Sequence, residues 1–216
     1  MARLGIRTLL ARSAVAWAYL IAVVIAGIVQ AALSPHDRAA LLRWASTNVV
    51  NLRHDPVGSL VASAFFAAGS AAAWPALIAL AMFGANRALG NWRTVLVCAA
   101  GQVIGTLVGE GILGYRVAHG LLPPADRYII DVGPSYVVVS AIVVAILWGS
   151  WLARGAAVLD FAILVFFGHI FSGLSRLDVA AVGHLTAITV AAILGSLLVW
   201  RLDHDKEARL RQRGAQ

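Results

Sequence analysis

Long apolar stretches separated by short polar connections constrain this chain more than any other feature of its sequence. A stretch of about 18 or more apolar residues with few charges is long enough to span a bilayer as an α-helix. Charged residues make up 12% of the chain, whereas a soluble domain carries roughly a quarter. The sequence therefore predicts an all-α, polytopic membrane protein.

The apolar stretches predict a bundle of six membrane spans in a single domain that covers residues 1–216. A short apolar helix over 57–66 is expected at the membrane interface, or re-entering the membrane, before the second span. A charged tail over 201–216 follows the last span. The predicted spans cover residues 13–33, 71–89, 94–115, 132–152, 156–174 and 179–200.

The net charge of +7 is spread over short connections and tails, which in a membrane protein signals topology and not nucleic-acid binding. With the N-terminus in the cytoplasm, eleven of the 17 Lys and Arg residues, Arg3 and Arg7 among them, lie on the cytoplasmic side. This bias predicts a multi-pass protein of the inner (plasma) membrane with both termini in the cytoplasm. Neither a metal nor a cofactor is expected.

Four polar side chains are expected at a similar depth in four different spans. At a rise of about 1.5 Å per residue, each lies roughly 5–9 Å inside the outer end of its span. Ionisable groups within spans are costly and usually face the bundle interior or a water-filled cavity. This layer is therefore the candidate site, and its members are Glu110, Ser135, His169 and His184.

The fourth span opens with DVGPSY (131–136), whose residues suit both a helix start and a reaction centre. Gly133 permits close approach of the backbone, and Pro134 suits a first turn, where its missing N–H costs nothing. Ser135 would lie among free N–H groups that stabilise negative charge. A serine nucleophile with His184 as its base is the outline of acyl transfer.

The remaining polar groups of this layer are expected to support Ser135. Asp131 is expected to cap the fourth span by accepting backbone N–H groups. The Tyr136 ring is expected to line the cavity, with its hydroxyl bonded to Glu110. Glu110 and His169 are interpreted as partners of the dyad, as a proton path, or as structural residues.

Small residues recur every four positions in two of the spans. Such ladders let helix backbones approach closely, and they predict helix packing rather than chemistry. The ladder residues are Gly101, Gly105 and Gly109 in the third span and Gly183, Ala187, Ala191 and Gly195 in the sixth.

The order and depth of these features resemble the rhomboid intramembrane serine proteases. The likeness covers about residues 14–200 and rests on six spans, a long first outer loop, Gly-Pro-Ser at 133–135 and Gly-His at 183–184. It implies a catalytic dyad of Ser135 and His184 that cuts single-span membrane proteins near the outer leaflet. The stretches STNVVNL, DVGPSY and GHL resemble more closely a divergent bacterial rhomboid-like branch.

The chain also departs from the pattern of active rhomboids. That pattern has His-x-x-x-Asn in the second span, which helps bind the oxyanion, and the corresponding positions here fall near Ala72 and Ala76. In that pattern a glycine follows the catalytic serine, whereas this chain has Tyr136 there. The pattern also has an aromatic residue four positions after the serine, whereas this chain has Val139. Loss of one oxyanion donor typically lowers the rate by about 10²–10³.

Three functions are therefore open from the sequence. The first is an intramembrane serine endopeptidase. The second is a catalytically silent rhomboid-like protein that binds transmembrane helices and governs their folding, trafficking or degradation. The third is a small transporter or channel built on Glu110, His169 and His184, although towards the inner leaflet only Asp160 continues such a path.

Overall fold

The regular structure of this chain is helical. The computed structural model describes residues 11–69 and 71–214, without the side chains of 203 and 205–214. Arg3, Arg7 and the last two residues of the predicted tail lie outside the described residues. In chain order the helices are α1 (Ala14–Ala32), α2 (Pro35–Ala45), α3 (Val49–His54), α4 (Pro56–Ser63), α5 (Trp74–Leu89), α6 (Asn91–Ala118), α7 (Ser135–Trp148), α8 (Trp151–Phe166) and α9 (Val179–Gly214).

The helices form the predicted all-α membrane bundle. Four stretches are long and apolar enough to cross a bilayer, and these are Ala14–Ala32, Ala71–Leu89, Asn91–Ala118 and Val179–Leu202. Helix α7 has 14 residues, about 21 Å of helix, and α8 has 16, about 24 Å. Since α7 packs against α5, α6, α8 and α9 and is buried along most of its length, protein rather than lipid surrounds it.

Helices α7 and α8 have different limits from the fourth and fifth spans predicted at 132–152 and 156–174. Ser150 begins a new helix directly after α7, because its hydroxyl accepts the N–H of Ala153 at 3.4 Å. Helix α8 then ends at Phe166, and His169 beyond it has a left-handed backbone (φ 51°). Apolar residues continue through both breaks, so hydropathy alone does not mark them.

The connection between α1 and α5 is held along α1 by polar side chains. Gln30 is buried and forms a two-way amide pair with Ala67, donating to its carbonyl at 2.6 Å and accepting its N–H at 3.3 Å. The Tyr19 hydroxyl donates to the Ala64 carbonyl at 2.8 Å. The short helix predicted over 57–66 is α4, which exposes Val57 and buries Ser63.

The two ladders of small residues are helix-packing surfaces, as predicted. A Cβ atom added at Gly105 would lie 2.9 Å from the Gly183 carbonyl oxygen, and one added at Gly109 would lie 2.8 Å from that of Val179. The backbones of α6 and α9 are therefore too close at these positions for a residue larger than glycine. On α9 the same ladder receives α7, because a Cβ atom at Gly195 would overlap the Trp148 ring.

We expect Gly105→Val to destabilise the bundle and Gly111→Val to be tolerated. Both glycines are in α6, but an added Cβ at Gly111 meets nothing within 4 Å. Overpacking of this kind costs about 1–3 kcal/mol, so the free energy of unfolding in mixed micelles should fall by that amount for Gly105→Val only. Equal stability of the two variants would contradict the close contact of α6 with α9.

Candidate functional site

The loop before α7 is fixed from two sides by backbone hydrogen bonds. The Thr47 N–H donates to the Asp131 carbonyl at 2.9 Å, and the Asp131 N–H donates to the Ser46 hydroxyl at 3.0 Å. The Gly133 N–H donates to the Ser63 carbonyl at 3.0 Å. The two stretches STNVVNL and DVGPSY, which are far apart in sequence, are therefore joined at the entrance of α7.

Tyr136 is at the centre of the polar layer. Its ring meets the His184 ring edge to face, with centroids 4.9 Å apart and an interplanar angle of 76°. Its hydroxyl donates to the Asp131 carboxylate at 3.0 Å and lies 3.4 Å from the Val179 carbonyl. A Cβ atom at Gly183 would overlap the Tyr136 ring and hydroxyl, so the absence of a side chain there makes room for the tyrosine.

The prediction that Tyr136 bonds Glu110 is wrong. The partner is Asp131, which the loop before α7 places closer to the hydroxyl. The prediction that Asp131 caps α7 is wrong for the same reason, because its carboxylate accepts the hydroxyls of Tyr136 and, at 3.4 Å, Thr47. No side chain caps α7, which begins directly after Pro134.

Asp131 lies outside the membrane-spanning helices, and its surroundings alter its protonation. Burial raises the pKa of its carboxyl above the ordinary value, while the hydroxyl hydrogen bonds from Tyr136 and Thr47 act in the opposite direction. The carboxyl therefore takes up a proton more readily than an exposed aspartate does, and the two hydroxyl groups limit that change.

His184 is buried and held in a single tautomer. Its Nδ1 is 3.0 Å from the Ile170 carbonyl oxygen, and since a carbonyl only accepts, Nδ1 carries the proton in the neutral ring. Its Nε2 is buried and has no hydrogen-bond partner among the described residues. The free lone pair of Nε2 is the form that a general base requires.

Ser135 is the first residue of α7 and is half-buried. Its side chain makes no hydrogen bond to the described residues, and His184 makes none to it. Its Oγ lies 3.8 Å from the position that a Cβ atom on Gly133 would occupy. The two predicted dyad residues therefore come from adjoining helices, α7 and α9, but are not bonded to each other in this structure.

Glu110 belongs to the same layer. It is 2% exposed, and an electrostatic interaction links its carboxyl with that of Asp131. The backbone N–H of Val49 approaches its carboxyl without reaching standard hydrogen-bond geometry. Thr106, one turn earlier on α6, is also fully buried, and its hydroxyl makes no hydrogen bond to the described residues. The predicted inward orientation of Glu110 is confirmed.

His169 lies outside this layer. It is exposed in the connection after α8, and no hydrogen bond involves its side chain in the described part of the chain. The prediction placed it in the fifth span, but Gly168 and the left-handed backbone of His169 follow the end of that helix. His169 is therefore not brought together with Ser135 and His184.

The sequence reasoning missed the roles of Ser46 and Thr47, which hold Asp131, and of Ile170, which holds His184. Of this stretch, only Asn48 has a role that the sequence alone could indicate, because asparagine is a common N-cap residue. Its side chain accepts the N–H groups of Val50 and Asn51 at the start of α3. Among the described residues no group of three or more His, Cys, Asp or Glu could hold a metal ion.

Comparison with known proteins gives one finding. The chain matches the model of a family described as rhomboid-like protein over residues 9–199. This match includes every residue of the polar layer. Neither the curated proteins nor the solved structures give a match.

A double-mutant cycle tests the partner of the Tyr136 hydroxyl. We expect Tyr136→Phe and Asp131→Ala to be coupled by about 1 kcal/mol in the free energy of unfolding, the net value of one hydrogen bond. The coupling between Tyr136→Phe and Glu110→Ala should be smaller, because no hydrogen bond joins these two side chains. A larger coupling with Glu110 than with Asp131 would show that the hydrogen-bond assignment is wrong.

Proposed function

The chain belongs to the family of rhomboid-like proteins, and we propose that it binds the transmembrane helices of other membrane proteins without cutting them. The observation that carries this proposal is the contact of His184 with Tyr136 and Ile170 in place of Ser135. Binding of client helices would govern their folding, trafficking or degradation.

Chemistry supports the absence of peptide hydrolysis. In a serine hydrolase the base that takes the serine proton lies within hydrogen-bond reach, about 2.6–3.2 Å and often somewhat more without substrate. Here the Tyr136 ring covers one side of the His184 ring, and Ser135 has no hydrogen bond to the histidine. The oxyanion donors that the family resemblance places in the second span are replaced by residues such as Ala76, which has no polar side chain.

A groove between α1, α4 and α6 is the surface that we assign to a client helix. Its volume is about 310 Å³, and its lining is apolar except at Tyr19 and Gln102. The exposed rim includes Val61 and Val95. The Gln102 side-chain nitrogen donates to Ser63 at 3.0 Å, but its oxygen is buried without a partner among the described residues. The apolar lining and the exposed valines of the rim suit the apolar face of a client helix.

An activity probe and a genetic test address the proposal together. We expect a fluorophosphonate probe to leave the folded protein unlabelled in lipid, and Ser135→Ala to complement a deletion as well as the wild type does. The reason is that the proposed function does not use the serine as a nucleophile. Labelling of the wild type that disappears in Ser135→Ala would overturn the proposal.

The groove has its own test. A photo-crosslinking amino acid placed at Val61 should capture client membrane proteins, and Val95→Arg should reduce that capture by placing a charge on the apolar rim. The same amino acid at Leu159 on α8, which is similarly exposed, is the control. Equal capture from both positions would show that the groove has no special role.

A serine endopeptidase is the second candidate, and the tautomer of His184 favours it. With the proton on Nδ1, the Nε2 lone pair can take the Ser135 hydroxyl proton as Oγ attacks the scissile carbonyl, and later return it to the leaving amine. The free N–H groups at the start of α7 would stabilise the oxyanion. The substrate would be a single-span membrane protein cut near the outer leaflet.

If Tyr136 is what blocks this reaction, Tyr136→Gly should create probe labelling that the wild type lacks. Removal of the ring frees space beside His184 but also removes the hydrogen bond to Asp131 and the packing against Gly183, so thermal unfolding must first show that the variant is folded. Ser135→Ala/Tyr136→Gly is the matched control and should remain unlabelled. Absence of labelling in a folded Tyr136→Gly protein would exclude the endopeptidase.

We also propose that the protein spans the plasma membrane with both termini in the cytoplasm. The bias of Lys and Arg toward the side of the termini supports this orientation. The polar layer then lies towards the outer leaflet, where a client helix would meet it from within the membrane.

A further inference from the structure

A basic recess lies between α3, the end of α6 and the 3₁₀ turn Pro124–Tyr128. Its volume is about 460 Å³. Its polar lining comes from Arg53 and His54 at the end of α3 and from Arg127 and Tyr128 in the turn. Two elements that are far apart in sequence therefore bring two guanidinium groups to one cavity, and no carboxylate lines it.

The positive charge of this recess is not neutralised within the described structure. Arg53 makes no hydrogen bond or ion pair there, and Arg127 uses only its Nε, which donates to the Pro124 carbonyl at 2.7 Å. The one ion pair of the described residues is Arg176 with Asp178. Both guanidinium groups therefore keep terminal N–H groups free for an anion.

The surroundings of the recess are apolar and exposed. Leu121 is 65% exposed and Tyr128 61%, and Ile129 and Ile130 follow directly. Since the recess is at the end of α6, which spans the membrane, these side chains belong to the membrane–water interface, where aromatic and basic residues meet lipid head groups.

From these observations we infer that the recess binds the head group of an anionic phospholipid. Guanidinium groups bind phosphate oxygens through paired N–H donors, and Arg53 and Arg127 supply two such groups from opposite walls. The exposed apolar residues beside them contact the acyl chains of the same lipid. A soluble phosphate would use the arginines but not this apolar rim.

This inference is independent of the proposed client binding and extends to regulation of the neighbouring layer. Val49 and Val50 line the recess, and Val49 also contacts Gly114 and approaches Glu110. A lipid in the recess therefore fixes the position of α3 and, through it, of the stretch 46–48 that holds Asp131.

Lipid titration of the full chain in detergent micelles, followed by native mass spectrometry, tests the inference. Phosphatidylglycerol should bind more tightly than phosphatidylcholine with the same acyl chains. Arg53→Gln and Arg127→Gln should each weaken phosphatidylglycerol binding by about fivefold. Arg43→Gln is the control, because Arg43 on α2 is exposed like Arg53 but lies outside the recess, and it should leave binding unchanged.

Three results would overturn the inference. Equal binding of the two lipids would remove the role of the head-group charge. An equal loss in Arg43→Gln would indicate general surface charge and no site. Displacement of the lipid by glycerophosphoglycerol at the same concentration would assign the recess to a soluble phosphate. Thermal unfolding of each variant checks the fold, and Arg53→Gln, whose side chain has no bond to lose in the described structure, keeps the test valid if Arg127→Gln is unstable.

Discussion

The contact of the Tyr136 ring with Gly183 and His184 determines how closely α7 packs against α9. Because Gly183 has no side chain, α9 leaves a space that the tyrosine fills, and its hydroxyl reaches Asp131 in the loop before α7. Asp131 in turn is held by Ser46 and Thr47. One side chain thus connects two membrane helices with the loops at the entrance of the site.

Burial of polar groups inside a membrane protein is costly unless each finds a partner. In this layer the backbone and most hydroxyl groups are bonded, while Nε2 of His184 and the carboxyl oxygens of Glu110 lack partners among the described residues. None of these unbonded groups is joined to Ser135 by a hydrogen bond, whereas the Tyr136 ring contacts His184. For this reason the layer serves structure and recognition in our proposal, with hydrolysis as the second candidate.

Much of the fold could be predicted from the sequence, because span length, apolar content and glycine spacing act locally. The close packing at the glycines of α6 and the inward orientation of Glu110 follow from these rules. The Tyr136 partner and the position of His169 do not. The partner of Tyr136 depends on the loop before α7, which is held by residues 46 and 47, far away in sequence. The position of His169 depends on its left-handed backbone after the end of α8, which the apolar pattern does not reveal.

The distance between the labelled rings of Tyr136 and His184, measured by solid-state NMR in lipid bilayers, tests the central claim most directly. The account predicts contact between the two rings, with a centroid separation of 4.9 Å, and a proton on Nδ1 bonded to the Ile170 carbonyl. A Ser135 hydroxyl within hydrogen-bond distance of Nε2, with the tyrosine ring out of contact, would contradict it.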